Sequence, residues 1–298
     1  MKNRLSINPI LEKELYVNSR SIKMSIACML MNLLLTAIMV LCLASVKSNQ
    51  VRMGYDYQSI TETFQMLAII ECIIISMVIP VITSGSISGE REKQTLDLLM
   101  TTPVTPMRIT VGKLSSAVIN VMMYVITSIP VLSIAFILGG MSWSQLIVYI
   151  GLIFCLACYV GSVGIFSSSL VKKSITATVI TIIFGVAIVA GTCTIFAVSL
   201  TVKLMEMSPN SSAINIDGVA LSLLLNPYLP IFEFFAKLIA GIELYDMLES
   251  FGTISGVWKV IYQHSTVISL IINGLVTLLF MKLAALKIPV VRDKKRKK

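Results

Sequence analysis

Charged residues and histidine are scarce in this chain. Only 13% of its 298 residues are charged, one residue is histidine, and 56% are hydrophobic. A soluble domain carries about 25% charged residues, because polar groups have to cover its surface. Lipid is the solvent that removes this need. The scarcity of charge therefore excludes an ordinary soluble globular domain.

The sequence also lacks the groupings that carry catalysis or bind metal. Its apolar runs contain no Ser/His/Asp triad and no paired carboxylates, and His264 stands alone. Cys155 and Cys158 form a C-x-x-C, but no second pair and no nearby histidine or carboxylate completes a metal site. We therefore expect the six cysteines to pack among helices, with no disulfide, no metal and no catalytic residue.

A phosphate-binding loop is missing as well. Such a loop requires the pattern G-x-x-x-x-G-K-[ST]. The only Gly-Lys pair is Gly112-Lys113, which is followed by Leu114, and Met107 occupies the position of the first glycine. The sequence therefore predicts no nucleotide-binding site and no enzyme activity in this chain.

Long hydrophobic runs are what the chain has instead. A spanning helix needs about 20 apolar residues. The stretch 114–171 has no charged residue and no histidine, and it is long enough for two helices with a break near 139–144. The predicted spans are 22–46, 64–84, 111–138, 144–170, 174–202 and 265–286. The fold class is therefore all-α integral membrane, with six transmembrane helices in a single transmembrane domain over residues 1–298.

The distribution of Lys and Arg predicts the orientation of these spans. With both termini in the cytoplasm, the inner segments hold 19 of the 24 Lys and Arg residues, and the outer segments hold 5. Cytoplasmic loops carry such an excess, and each inner segment contributes to it. The net charge of +9 accordingly favours anionic membrane lipid as a partner, with no nucleic acid.

Both termini are predicted to touch the inner membrane surface. Residues 1–21 suit an amphipathic interfacial helix, because Asn8-Pro9 can begin a helix and apolar residues recur every four positions after Ile7. A frayed, charged lead is the alternative. Residues 287–298 form a basic cytoplasmic tail that sets the topology and meets anionic lipid.

Residues 203–264 form the one long extracytoplasmic segment. Its apolar stretches, such as 231–235 and 237–240, are too short and interrupted to span. We expect short helices that dip into the outer leaflet and are shielded from lipid wherever the backbone is irregular. A seventh and an eighth span are the alternative.

Residues 88–114 connect the second and third spans on the inner side. Alternating charges open this connection at 90–93, an apolar stretch follows at 96–100, and Thr105-Pro106 can begin the next helix. A solvent-facing loop has no need for the apolar stretch, whereas a docking surface does. The pattern therefore predicts a helix-turn-helix that docks on a cytoplasmic partner. A surface elbow without a partner is the alternative.

A resemblance to a known family strengthens this interpretation. The pattern Gly-Glu-Arg-Glu…Thr-Leu-Asp-Leu-Leu…Thr-Pro-Val…Gly-Lys-Leu at 89–114 resembles the membrane subunits of ABC-2 type exporters. The lead at 8–15 is similar to their N-terminal connecting helix. The six-span plan, both ends inside and the large outer segment before the last span are similar too, so the resemblance extends over nearly the whole chain.

The resemblance implies the permease half of an ATP-driven exporter. Two permease subunits, as a homodimer or a heterodimer, would pair above two cytoplasmic ABC ATPase subunits, which would carry ATP and Mg; this chain would hold no cofactor. It also implies a multi-pass protein of a prokaryotic cell membrane, with a coupling helix between helices 2 and 3. The residues expected to contact the ATPase are Glu90, Arg91, Glu92, Thr95, Leu96, Leu98, Leu99, Met100, Thr102 and Pro103.

Three polar residues inside the spans are candidates for a role in the pathway. Glu71 is the one carboxylate in a predicted span, and Asn32 and Asn120 are amides in others. Such groups usually face the bundle interior or a water path, or they hydrogen-bond to a neighbouring helix. Two other functions stay open at this point. One is an ion-gradient transporter built around Glu71, and the other is a non-transporting adaptor that binds through residues 203–264.

Overall fold

The computed structural model is helical in nearly all of the chain that it describes. The described residues are 11, 12, 16, 22–53, 57–94, 105–138, 142–205 and 215–288. Within them no strand occurs, and the extended pairing is one isolated β-bridge between Asn215 and Thr253. Helices suit lipid because their backbone groups are paired within one segment.

Six of the helices could cross a membrane. The helices are α1 (Ile22–Met53), α2 (Tyr57–Glu92), α3 (Pro106–Leu138), α4 (Trp143–Leu170), α5 (Ser174–Met205), a 3-10 helix (Val219–Leu225), α6 (Leu229–Ala240), α7 (Leu244–Glu249), α8 (Gly256–Gln263) and α9 (Ser265–Lys287). By length and composition, α1 to α5 and α9 are the candidate spans, which confirms the predicted number of six. The chain bends by 110° between the 3-10 helix and α6, and a seventh crossing results only if that bent pair counts as one span.

The second spanning helix is longer than its apolar run. The predicted span was 64–84, but α2 extends over Tyr57–Glu92, so residues 90–92 form its last turn. The helix continues because these charged side chains find partners on neighbouring helices, as described below. After the connection, α3 begins at Pro106, where Thr105-Pro106 predicted a helix start.

The fourth helix lies at the centre of the bundle. Within its most apolar window, 61% of α4 is buried, compared with 17% of α1 and 11% of α5. Glycines let α4 approach its neighbours closely: a Cβ on Gly164 would lie 1.9 Å from Thr83 Oγ1 on α2, and one on Gly161 would lie 2.8 Å from Leu114 Cδ1 on α3. Small residues at such a crossing allow close contact between helices.

The bundle has two chemically different ends. We call the end with residues 84–94, 105–114 and 167–178 the loop end, and residues 215–264 the cap segment, which lies at the opposite cap end. The cap segment has its own apolar core, in which Tyr262 is fully buried and its hydroxyl accepts a hydrogen bond from the Ala220 N–H at 3.2 Å. Its short helices agree with those predicted for residues 203–264.

Several predicted features fall largely outside the described residues. Of the interfacial helix predicted at 1–21, the structure describes residues 11, 12 and 16, all in helical conformation. The apolar part of the coupling helix, 95–104, and most of the basic tail, 289–298, also lie outside the described residues.

Candidate functional site at the loop end

Three consecutive side chains at the end of α2 each contact a different helix. Glu90 reaches α3, Arg91 reaches the end of α4, and Glu92 reaches the start of α5. Successive side chains on a helix point about 100° apart, so three adjacent residues can face three neighbours. We call Glu90, Arg91 and Glu92 the clamp. Two residues, Lys93 and Gln94, separate it from Thr95, where the predicted coupling helix begins.

The contact to α3 is an ion pair. The Lys113 ammonium lies 2.8 Å from Glu90 Oε1, and the side chains of Lys113 and Glu90 are 3% and 27% exposed. An ammonium so well buried requires an acidic partner, since an unpaired charge in that position is costly. The pair therefore holds the last turn of α2 against the first turns of α3.

The contact to α4 caps the C-terminus of that helix. The Arg91 guanidinium donates to the backbone carbonyls of Ser169 and Val171, at 3.0 and 3.3 Å. The last carbonyls of a helix have no partner within it, and the negative end of the helix dipole favours a cation there by about 0.3–1 kcal/mol. Arg91 thus ties α2 to the turn that joins α4 and α5.

The contact to α5 joins an acidic side chain to the N-terminus of a helix. Ser174 is the first residue of α5, and it donates to Glu92 Oε2 through its hydroxyl at 2.7 Å and its backbone N–H at 3.3 Å. The first N–H groups of a helix lack partners in the helix, and its N-terminus favours an anion. An acid here and a base at the end of α4 match the two helix dipoles that meet at this turn.

Hydroxyl groups extend the clamp one to two turns further along α2. Ser168 is fully buried, and its hydroxyl oxygen accepts from the backbone N–H groups of Ile87 and Ser88 at 3.0 and 2.9 Å. The hydroxyls of Ser84 and Thr178 lie 2.5 Å apart and join α2 to α5. Polar contacts therefore join the loop-end turns of α2 to three other helices.

Sequence reasoning selected the charges of the clamp but missed their partners. Lys113 stands in the Gly-Lys-Leu element of the quoted pattern, and Ser169 belongs to a run of three serines at 167–169. A run of serines at the end of an apolar helix is the signal that could have indicated a polar contact there. The other proposed ATPase contacts, from Thr95 to Pro103, lie outside the described residues.

Glu71 lies in the core of the bundle, far along α2 from the clamp. It is fully buried. Its Oε2 accepts from the Tyr149 hydroxyl at 2.8 Å, and its Oε1 accepts from the Ser128 hydroxyl. Among the described residues it has no basic partner. Glu71 therefore joins α2 to α3 and α4 through hydrogen bonds, and Tyr149, a partner that sequence reasoning missed, is itself fully buried beside Phe235.

The two amides occupy different settings. Asn32 donates to the Cys28 carbonyl of its own helix at 2.9 Å. Asn120 is 4% exposed, and its Oδ1 has no hydrogen-bond partner among the described residues. The structure therefore does not bring Asn32, Asn120 and Glu71 into one polar cluster, and it assembles polar contacts around Glu71 alone.

Fold and site together define a class of protein. Six long apolar helices make the chain a multi-pass membrane protein, and polar side chains at the loop end join four of them to one another. Residues 9–291 match the family described as ABC-2 family transporter protein. The match covers nearly the whole chain, so the chain belongs to the ABC-2 transporter family, as the loop pattern suggested.

Membership has direct consequences for the role of the chain. The family makes the chain a membrane transport component rather than an enzyme, and it implies association with an ABC ATPase. A comparison with curated proteins gave no match.

Proposed function

We propose that the chain is the permease subunit of an ATP-driven exporter. In this proposal, residues 89–106 dock on a cytoplasmic ABC ATPase, and the spans form the substrate pathway. The observation that carries it is the clamp of Glu90, Arg91 and Glu92, which lies directly before the apolar stretch at 96–100 and engages three helices at once.

The clamp suggests how a push from the ATPase reaches the bundle. Closure of the ATPases would press on the stretch at 95–104, which follows α2 in the sequence after the turn at Lys93 and Gln94. Since the end of α2 is bound to α3, α4 and α5, these helices would shift as one body rather than separately. Rigid-body motion between two packed states is a common form of gating. The pathway would then open alternately to the two sides of the membrane.

The proposed topology has the loop end in the cytoplasm. The excess of Lys and Arg in the predicted inner segments supports it. The cap segment would then face outward, where cargo leaves, in the cell membrane of a prokaryote. A second permease subunit, the same or different, would complete the pathway above two ATPase subunits. The mostly exposed apolar surfaces of α1 and α5 are available to lipid or to that subunit.

The coupling part of this proposal can be tested at Leu98 and Leu99. We expect Leu98→Asp and Leu99→Asp to leave membrane insertion intact but to abolish co-purification of the ATPase subunit and the stimulation of its ATP hydrolysis, because a buried carboxylate disrupts an apolar contact. Leu98→Met is the matched control, since it keeps an apolar side chain of similar volume. Normal co-purification and stimulation in both Asp variants would contradict the assignment of residues 89–106.

A further inference from the structure

A second polar site lies at the cap end, separate from the clamp. A cavity of about 360 Å³, open on one side, is bordered by α4, α6, the start of α7, the end of α8 and the start of α9. Its apolar wall includes Val148, Leu152 and Leu270, and its polar wall includes Glu233. Nothing in the coupling mechanism uses this cavity.

Glu233 supplies the cavity with a buried carboxylate. This side chain is on α6 and is 5% exposed. The hydroxyls of Ser265 and Thr266 donate to its two oxygens. A carboxylate offers about four acceptor positions, so two donors leave it able to accept further hydrogen bonds. Among the described residues, no basic side chain pairs with Glu233.

Two other charged side chains at the cavity form an ion pair with each other, and His264 also lines the cavity. Lys237 lies 2.5 Å from Glu243 Oε1, and their side chains are 68% and 43% exposed. Both residues line the cavity, where their paired charges sum to zero. Glu233 therefore has no charged partner of its own among the described residues, and a carboxylate that is 5% exposed favours a cationic partner.

We propose that this cavity binds an amine cation carried on an apolar body. The ammonium group would donate to Glu233, and the apolar part would lie along Val148, Leu152 and Leu270. A volume of about 360 Å³ lies in the usual range of small-molecule sites, about 300–1,000 Å³. The ligand is either an amine head group of a lipid or a soluble amphipathic amine. The inference rests on the proposed function, because the cap end is where an exporter releases cargo.

Binding can be measured on the full chain without an ATPase. The probe is dansylcadaverine, a primary amine joined to an apolar fluorescent ring, added to the protein in nanodiscs of phosphatidylglycerol, with empty nanodiscs as the blank. We expect saturable binding of the probe. Its N-acetyl derivative has the same body without the charge, and we expect it to bind at least about tenfold more weakly, because a hydrogen bond to a charged group is lost.

Matched variants separate the site from general attraction to acidic residues. Glu233→Gln keeps the shape and can still bond both hydroxyls, one as donor to the amide oxygen and the other as acceptor from the amide NH2, and we expect at least about tenfold weaker probe binding. Glu249→Gln removes the same charge elsewhere in the cap segment, where Glu249 accepts from the Tyr245 hydroxyl at 3.0 Å; we expect less than about a twofold change. Equal binding by the wild type and Glu233→Gln would overturn the proposal.

Two further measurements keep the result unambiguous. Val148→Trp fills the cavity from its exposed side while leaving Glu233 in place, so it should weaken binding even if Glu233→Gln does not fold; unchanged binding by this variant would overturn the proposal. Adding phosphatidylethanolamine should raise the apparent Kd of the probe for the wild type if the natural ligand is a lipid amine, and leave it unchanged if that ligand is soluble.

A negative result in the binding experiment does not contradict the coupling proposal, and a negative result in the coupling experiment does not contradict the binding proposal. Probe binding requires no nucleotide, so its absence would leave the coupling role of residues 89–106 untouched. Conversely, normal coupling in Leu98→Asp would not alter probe binding at Glu233.

Discussion

Glu90 at the loop end and Glu233 at the cap end are two acidic side chains that the bundle holds by different means. At the loop end, Glu90 pairs with Lys113 and Glu92 accepts from the N-terminus of α5. At the cap end, Glu233 is held by two hydroxyls and has no basic partner among the described residues. The Glu90–Lys113 ion pair holds two helices together with its charges balanced, whereas no basic side chain among the described residues balances the charge of Glu233. The first arrangement suits transmission of movement, and the second suits a binding site.

The largest effect is expected from breaking an ion pair, and the same Glu→Gln substitution can be made in one ion pair at each end of the bundle. Glu90→Gln leaves Lys113 buried without its carboxylate, and we expect the free energy of unfolding to fall by about 3 kcal/mol. The value lies at the lower end for buried pairs because Glu90 is 27% exposed. Glu243→Gln breaks the exposed pair with Lys237, for which about 0–1 kcal/mol is expected. Unfolding of the full chain in detergent micelles measures both. Equal losses would remove the distinction between the two ends.

A smaller effect is expected where α2 and α4 cross between the two ends. Gly164→Ala places a methyl group against Thr83, and we expect a loss of about 2 kcal/mol in the free energy of unfolding. Gly191→Ala is the control, because a Cβ there meets nothing within 4 Å. Adding Thr83→Ala to Gly164→Ala should recover part of the loss, because it removes Thr83 Oγ1 but keeps Thr83 Cβ at 2.8 Å from the new methyl group; a double-mutant cycle would quantify the recovery. Additive losses would show that the two residues do not restrict each other.

The smallest expected effect concerns the pH dependence of the cap segment. The backbone N–H and the hydroxyl of Ser255 donate to Asp217 at 2.9 and 2.6 Å, and these bonds lower the pKa of Asp217 below its ordinary value of 3.8. A lowered pKa means that the folded state binds the proton less readily than the unfolded state. The stabilisation is therefore present above about pH 4 and is lost as the pH falls through the folded-state pKa.

The fluorescence of Trp258, which packs against Gly218 beside Asp217, can follow this transition in a Trp143→Phe background. We expect an acid transition in the wild type that is absent in Asp217→Asn. The same transition in both proteins would exclude Asp217 as its origin.

Local composition was enough to predict the number of spans and the start of α3. The apolar runs and the Thr105-Pro106 pair are properties of short stretches of sequence. Each spanning helix needs about 20 apolar residues, whatever its position in the bundle. The loop pattern at 89–114 led to the family in the same way, because it can be recognised without knowing its neighbours.

The contacts of the candidate site could be predicted only in part. The charges of Glu90, Arg91 and Glu92 were visible as functional candidates, but nothing local pointed to Ser169 or Ser174 as their partners. Glycines pose the same problem: Gly164 and Gly191 both lie in apolar helices, yet only Gly164 touches another helix.

What the sequence by itself determined is how many times the chain can cross a membrane, because that depends on runs of about 20 apolar residues. Which polar side chains meet was decided by the tertiary structure. Helix rotation and crossing place Lys113 against Glu90, and Tyr149 against Glu71, across 23 and 78 positions of the chain. A periodic apolar sequence does not specify those angles, since many rotations bury similar area. The few polar contacts, and glycines such as Gly164, select one of them.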